Sequence, residues 1–373
     1  MLQRYRVPLV LVAAAALVLL AVVVANAPAD RGASIASPTA SHSPSASPQP
    51  AVLSDRFGFV WADERSGIRV RSETGTGGFE VVTLGYRWSY CSCAVSPDGT
   101  RILYWTSRSY PGPVELRVIE VAPPSRQTTV FTAPPQQLIS HATWSSDGNG
   151  ILFSIEGVPA PGTPVGFVPS SALLAVDAGG GTPRTLADKD GGIYVPLGWD
   201  RAAGVAAAGL TGEGGYMTGY LTVRTTGEPA LKRSATGTNL FMFSVEASSD
   251  QRFVYGVFLD ASGGTLRWWR LGDFGSIQTG PHLDSATRAR WRPQSSEIAW
   301  AEGGVLQLLD AERGTRRTGG SLPAIESRLE GFRLDGSAAL VTSQNELLLQ
   351  EIGSGRRERI TAYGFFVAAV RLR

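Results

Sequence analysis

Three patterns of apolar and polar residues follow one another along the chain. The first is an unbroken apolar run: Arg4 and Arg6 precede an uncharged stretch from Val7 to Ala29, whose centre, Leu9 to Val24, is almost wholly Leu, Val and Ala. A helix needs about 20 such residues to cross the hydrocarbon core, and basic residues on its short side hold that end in the cytoplasm. Residues 1–27 therefore read as a single-pass transmembrane signal anchor, with everything after it on the extracytoplasmic side. Ala25 and Ala27 also fit the small residues of a cleavage site, so secretion after signal cleavage is the alternative. The second pattern, over 28–53, has no hydrophobic period and is nearly all Ala, Ser, Pro and Thr. Too little apolar surface is available there to offset the entropy of ordering, so a disordered linker is expected.

The third pattern, over 54–373, alternates short apolar runs with tight-turn signals. Ala94-Val-Ser-Pro-Asp-Gly-Thr-Arg-Ile-Leu-Tyr-Trp105 is echoed by Thr143-Trp-Ser-Ser-Asp-Gly-Asn-Gly-Ile-Leu-Phe-Ser154, and degenerate copies follow around Trp199, Ala247, Trp291 and Phe332. With Val95 and Trp144 as the first equivalents, the steps are about 49, 55, 48, 44 and 41 residues, the length of a four-stranded propeller blade. In each copy an aromatic or aliphatic residue ends one strand, Asp and Gly tolerate the backbone angles of the turn, and a β-rich run begins the next strand. Third strands are expected at Val114 to Val121, Leu173 to Asp177, Leu266 to Leu271, Val305 to Asp310 and Glu346 to Ile352. No segment after the anchor sustains a 3.6-residue apolar period, which argues against further helices.

The ends of the array set the blade count. Phe57 to Ala62, Ile68 to Ser72 and Phe79 to Leu84 form three strands without an inner one, while Phe365 to Arg373 is a strand without a blade. Joined, they complete an all-β, seven-bladed β-propeller whose first blade closes in a 3+1 arrangement, and closure removes exposed sheet edges. These repeats resemble the WD40-like (PD40) repeats of the TolB-type bacterial propellers, strongly at Ser96-Pro97-Asp98-Gly99, well at Ser145-Ser146-Asp147-Gly148, and in decayed form in blades four to six. The resemblance covers about 54–373. It implies an extracytoplasmic propeller used mainly for protein binding, although similar repeats also form the non-catalytic propeller of prolyl oligopeptidase-like peptidases.

Charge and chemistry narrow the function classes. Basic and acidic residues, 34 against 32, leave a net charge of +2, too small a field to capture nucleic acid. The histidines are His42, His141 and His282, and no G-x-S-x-G, H-E-x-x-H or P-loop spacing occurs, so no catalytic residues, metal ligands or cofactors are assigned. His141 reads as an inner-strand residue and His282 as a loop residue. Cys91 and Cys93 share one face of a predicted strand, where their Cα separation is near the limit for a disulfide. Free thiols are the first reading, and a disulfide aided by a bulge is the alternative. Asp188-Lys-Asp-Gly-Gly192 resembles a fragment of a calcium loop but reads better as a polar turn.

The face carrying the second-to-third-strand loops is uneven. Those loops are long in three consecutive blades: Ser107 to Pro113, Glu156 to Ser170 and Leu210 to Gly219. With the loops that enter the blades, they bring together Trp88, Tyr110, Phe167, Tyr194, Tyr216 and Met217, a candidate partner-binding set. The alternative is that these loops merely cover one another. The expected function is a non-catalytic, membrane-tethered binding or scaffolding module for an envelope or secreted protein or peptide. A glycan or small-ligand sensor is the first alternative, and a propeller enzyme such as a lyase or glycosidase, testing Glu213, Asp188 and Asp190, ranks last.

Overall fold

A computed structural model of the chain describes residues 53–63, 67–81, 93–107, 114–122, 125–158, 170–189, 192–211, 217–226, 231–260, 263–284 and 287–372. All of these lie in one compact unit, Pro48–Arg373. The apolar run of 1–27 and the linker before Leu53 lie outside the described residues. Among the described residues there is no helix long and apolar enough to cross a membrane.

The described strands form seven antiparallel blades. Blade two comprises Cys93–Val95, Arg101–Ser107, Val114–Glu120 and Gln127–Thr132, from the inner strand outward. Blade three runs Gln137–Trp144, Gly150–Gly157, Ser171–Asp177 and Arg184–Lys189. Blades six and seven, from Arg290 to Ser321 and from Arg328 to Ile360, repeat the plan. Blade one is assembled from both ends of the array: Phe365–Arg371 pairs with Phe57–Asp63 as its inner strand, followed by Gly67–Ser72 and Gly78–Val81. The expected 3+1 closure and the seven-bladed propeller are both present.

Blades four and five depart from the simple plan. Leu231–Ala247 is one continuous strand of 17 residues. Leu231 to Ala235 pairs with the third strand of blade four, and Phe241 to Ala247 with the second strand of blade five. The outer strand of blade five, Asp273–Leu283, is also longer than expected and carries His282 paired with Thr265, so this histidine is in a strand and not in a loop. Cys93 is disulfide-bonded, which overturns the free-thiol reading; the chain's other cysteine, Cys91, lies outside the described residues.

Each blade is sandwiched between two neighbours, so both faces of its strands must be apolar. Successive residues of the second strands serve opposite sides: Ile102 packs toward blade one and Leu103 toward blade three. Trp300 likewise faces blade five, while Ala299 faces blade seven. The buried apolar residues accordingly fall into seven clusters, one at each junction around the ring. Blade four has small residues at Ala206, Ala207 and Ala208, and the large rings of Tyr194, Trp199 and Tyr220 fill the space they leave. Trp268 and Trp269 face opposite ways, as adjacent strand residues must, and both are used between blades. Trp268 Nε1 donates to the Ala311 carbonyl of blade six at 3.0 Å, whereas Trp269 meets Tyr220 of blade four edge-on at 5.6 Å.

The Ser-x-Asp-Gly turns are closed by one repeated set of hydrogen bonds. Ser96, Ser145 and Ser248 are buried, and their hydroxyls donate to Asp98, Asp147 and Asp250 at 2.5, 2.6 and 2.6 Å. Each serine oxygen also accepts the backbone N–H five residues on, at 3.0, 2.8 and 3.0 Å. The glycine position requires positive φ, +74° at Gly99 and +68° at Gly148. In blade five it is held by Gln251 at +58°, whose Oε1 accepts the backbone N–H of Trp199 in blade four at 3.2 Å. That contact offsets the strain of a side chain in the left-handed region.

The serine position of blade seven is held by Arg333, whose guanidinium grips Glu73 of blade one: Nε to Oε1 at 2.6 Å and Nη2 to Oε2 at 2.7 Å. The two side chains are 8% and 0% exposed. Removing one partner strands a buried charge, so Arg333→Met should cost about 3–5 kcal/mol in urea unfolding. Glu73→Gln with Arg333→Met together should cost clearly less than the sum of the two single variants.

At the turns, burial opposes ionisation of Asp98, Asp147 and Asp250, but the hydrogen bonds from serine and backbone and the nearby arginines outweigh it, so their pKa values fall below the ordinary 3.8. A depressed carboxyl pKa stabilises the fold above the ordinary value, and that contribution is lost as pH falls through the folded-state value. The melting temperature should therefore drop below about pH 4. In the Asp98, Asp147 and Asp250→Asn triple variant, melting scans across that range should show a shallower drop.

Candidate functional site

On the turn face the bonds described above tie neighbouring blades together. Arg101 of blade two donates to the Gly148 carbonyl of blade three at 2.7 Å, and Arg292 of blade six to that of Gly336 in blade seven at 2.8 Å. The central channel, about 510 Å³, is lined by inner-strand residues of all seven blades. Its charged residues are Glu246 and Arg290. The Tyr255 hydroxyl lies 2.8 Å from Glu246 Oε2 and 2.5 Å from the Ala289 carbonyl, and Arg290 Nε donates to the Glu330 carbonyl at 3.0 Å. Burial works against the charge of Arg290, yet Glu246, Tyr255 and Glu330 hold its pKa above the ordinary guanidinium value. This is a paired brace between blades five, six and seven. His141, on the inner strand of blade three, is exposed to solvent although hemmed in by protein, and that desolvation lowers its pKa and keeps it neutral near pH 7.

On the opposite face, at the end of blade three, lies a cleft of about 370 Å³. Its walls come from four strand ends: Gln137 from the first strand, Ile155 and Glu156 from the second, Ser170 and Ala172 at the third, and Asp188 from the fourth. Register sets Glu156 in one row with Leu138 and Ser171, while Ile155, Ala172 and Asp188 form the next row on the alternate face, so the cleft wraps around the strand ends. The Oε2 of Glu156 and the Oε1 of Gln137 are buried with no hydrogen-bond partner. Desolvation raises the pKa of Glu156 above the ordinary 4.5. Two buried acceptors without donors are costly.

This cleft opens at the start of the long Glu156 to Ser170 loop, on the face where the aromatic set was expected. Of that set, Trp88, Tyr110, Phe167 and Tyr216 lie outside the described residues. Met217 opens the third strand of blade four, its backbone paired with Thr211 and Leu240. Tyr194 is not a surface contact: it is fully buried in the cluster between blades three and four. Strand alternation turns its ring inward, and the nearby alanines give it room. Asp188 is exposed and, with Lys189, ends a strand, while Asp190 and Glu213 lie outside the described residues. Sequence reasoning passed over Glu156, which reads as one polar residue before a Gly/Pro-rich loop. Its signal was an acidic residue ending an otherwise apolar strand, Ile151 to Glu156.

No protein-family model and no curated protein sequence matches the chain. Solved structures match its fold. A functionally unknown protein from Desulfotomaculum acetoxidans is 10% identical with a TM-score of 0.52, over 85% of this chain and 100% of that one. Oligogalacturonate lyase in complex with manganese is 9% identical with a TM-score of 0.51, over 82% and 89%. TolB from Acinetobacter baumannii is 14% identical with a TM-score of 0.46, over 72% of this chain and 64% of TolB, so the match spans just under two thirds of that protein's length. At these identities the likeness is one of fold, and it includes both an enzyme and a protein not titled as one.

Because Glu156 is unpaired and desolvation disfavours its ionised form, ionising it opposes folding. A raised carboxyl pKa means that stability falls as pH rises past the ordinary 4.5 and levels off once the folded-state carboxyl has ionised. Glu156→Gln should therefore stabilise the protein at pH 7 by about 1 kcal/mol, with no gain at pH 3, as read by thermal melting at the two pH values.

Proposed function

We propose that this chain is a non-catalytic binding module, tethered to the membrane outside the cytoplasm, that recognises a protein or peptide through the loop face of blades two to four. The observation that carries the reading is the blade-three cleft, which keeps two buried acceptors without donors at the start of the long Glu156 to Ser170 loop. Loops on a rigid scaffold are where recognition is usually placed. The polar lining of the cleft also suits a glycan or small-ligand sensor, which is the second reading. Enzymatic activity is not part of the proposal, since the acid and base groups near the channel are tied up with one another.

The test is crosslinked capture by the full-length protein from native envelope extract, beside a folded Tyr110, Phe167 and Tyr216→Ala triple variant. A partner held by the wild type and lost by the variant is the expected outcome. Capture indifferent to the substitutions would remove the loop face from the reading. Competition by soluble saccharides would shift it to the sensor.

A further inference from the structure

Several carboxylates of this chain are answered by arginine. Glu73 is held by Arg333, Glu297 by Arg292 and Arg317, Asp147 by Arg201, and Glu351 by Arg356. Glu156 differs from these: its Oε2 is buried with no hydrogen-bond partner. The eleven residues 159–169 that follow it in the loop are Pro-Ala-Pro-Gly-Thr-Pro-Val-Gly-Phe-Val-Pro, with no charge among them to supply one.

From this we infer that the blade-three cleft receives one cationic group, an ammonium or guanidinium, carried on a basic side chain of a peptide partner. The inference rests on the binding reading above and specifies its chemistry. The buried polar atoms that lack partners here, Glu156 Oε2 and Gln137 Oε1, are both acceptors, and exposed Asp188 adds negative charge at the rim. A donor-only group is their complement, and lysine and arginine heads are donor-only. Ile155 and Ala172 supply apolar wall for the alkyl stem of such a side chain. The volume, about 370 Å³, is many times the roughly 30 Å³ share of one water, so a side chain fits. A calcium ion fits less well. It takes about 6–8 oxygen ligands, and among the described residues no group of three or more His, Cys, Asp or Glu is placed to hold a metal.

The in-chain competitor is Lys189, which pairs with Ser171 in the same register row as Glu156. The experiment is calorimetric titration of the full-length protein in detergent with end-blocked Gly-Gly-Arg-Gly-Gly, its lysine and citrulline counterparts, and spermidine. Saturable binding of the arginine and lysine peptides is expected, with the citrulline peptide at least about tenfold weaker, because it keeps the shape and loses the charge. Glu156→Gln, whose fold is checked by its melting transition, should lose about tenfold for the arginine peptide. Equal binding of the citrulline peptide, binding unchanged in Glu156→Gln, or no saturable binding would overturn the inference. So would binding that appears only in Lys189→Met, since the lysine would then be the internal partner, or binding of spermidine alone, which would assign the cleft to a free polyamine. A captured envelope protein indifferent to Glu156→Gln would sink the cationic anchor and leave the binding module standing. Arginine-peptide binding with no captured protein would do the reverse.

Discussion

The ring depends on one closure, and the closure depends on residues from the two ends of the repeat array. Phe365–Arg371 pairs with Phe57–Asp63, and Arg333 of blade seven grips Glu73 of blade one across 260 positions of sequence. Every other junction joins blades adjacent in the chain, where burial rewards a short loop closure. This one must bring together segments separated by nearly the whole domain, so its entropic cost falls late and on few contacts. The aromatic layer of Phe59, Trp61 and Phe366 supplies the apolar part of that junction, with ring centroids 5.8 to 6.1 Å apart. A bidentate ion pair adds directional specificity, because a strand paired one residue out of register would strand two buried charges. Ser54 adds a third element by donating its backbone N–H to Glu73 Oε2 at 3.0 Å, which ties the entering chain to the same carboxylate.

The architecture was legible from the sequence because a propeller repeats its demands. A strand buried on both faces must be apolar at successive positions, and a turn of fixed geometry must reuse Ser, Asp and Gly, so the period survives even where individual residues drift. Arg333 shows how far drift can go: it occupies the serine position of blade seven, and the function of that position changed from closing a turn to closing the ring. What was not legible depends on register. The single strand Leu231–Ala247 joins two blades despite Gly237 and Asn239 within it, and His282 lies in a strand because Asp273–Leu283 continues through Pro281. Neither follows from composition. The disulfide of Cys93 is the pairing that strand alternation disfavours.

The candidate site was legible only as a region. Loop length pointed to the face on which the blade-three cleft opens, since long loops on a fixed scaffold are where recognition is usually placed. Aromatic content was a poorer guide. Tyr194 belongs to the core because blade four has alanines where other blades have large residues, a volume compensation that needs the neighbouring strand to be seen. Glu156 was missed for the opposite reason. Its interest lies in what it does not touch, and the absence of a partner is a property of three dimensions: the uncharged loop beyond it and the acceptor of Gln137 beside it.

The same contrast explains why an unpaired carboxylate can persist. A propeller with an apolar cluster at each of its seven junctions has stability to spare at one strand end, and the cost of Glu156 is small beside a closure that involves whole blades. Such a group opposes folding in the free protein and favours whatever neutralises it, so its penalty reappears as affinity for a complementary charge. Rigidity adds to this effect. Glu156 is held by pairing with Leu138 and Ser171 on both sides, so little ordering of the scaffold is needed when a ligand arrives, and less of the interaction is lost to entropy than on a flexible loop. Destabilisation and recognition at this position are therefore two readings of one desolvated charge, and a substitution that improves the first must weaken the second.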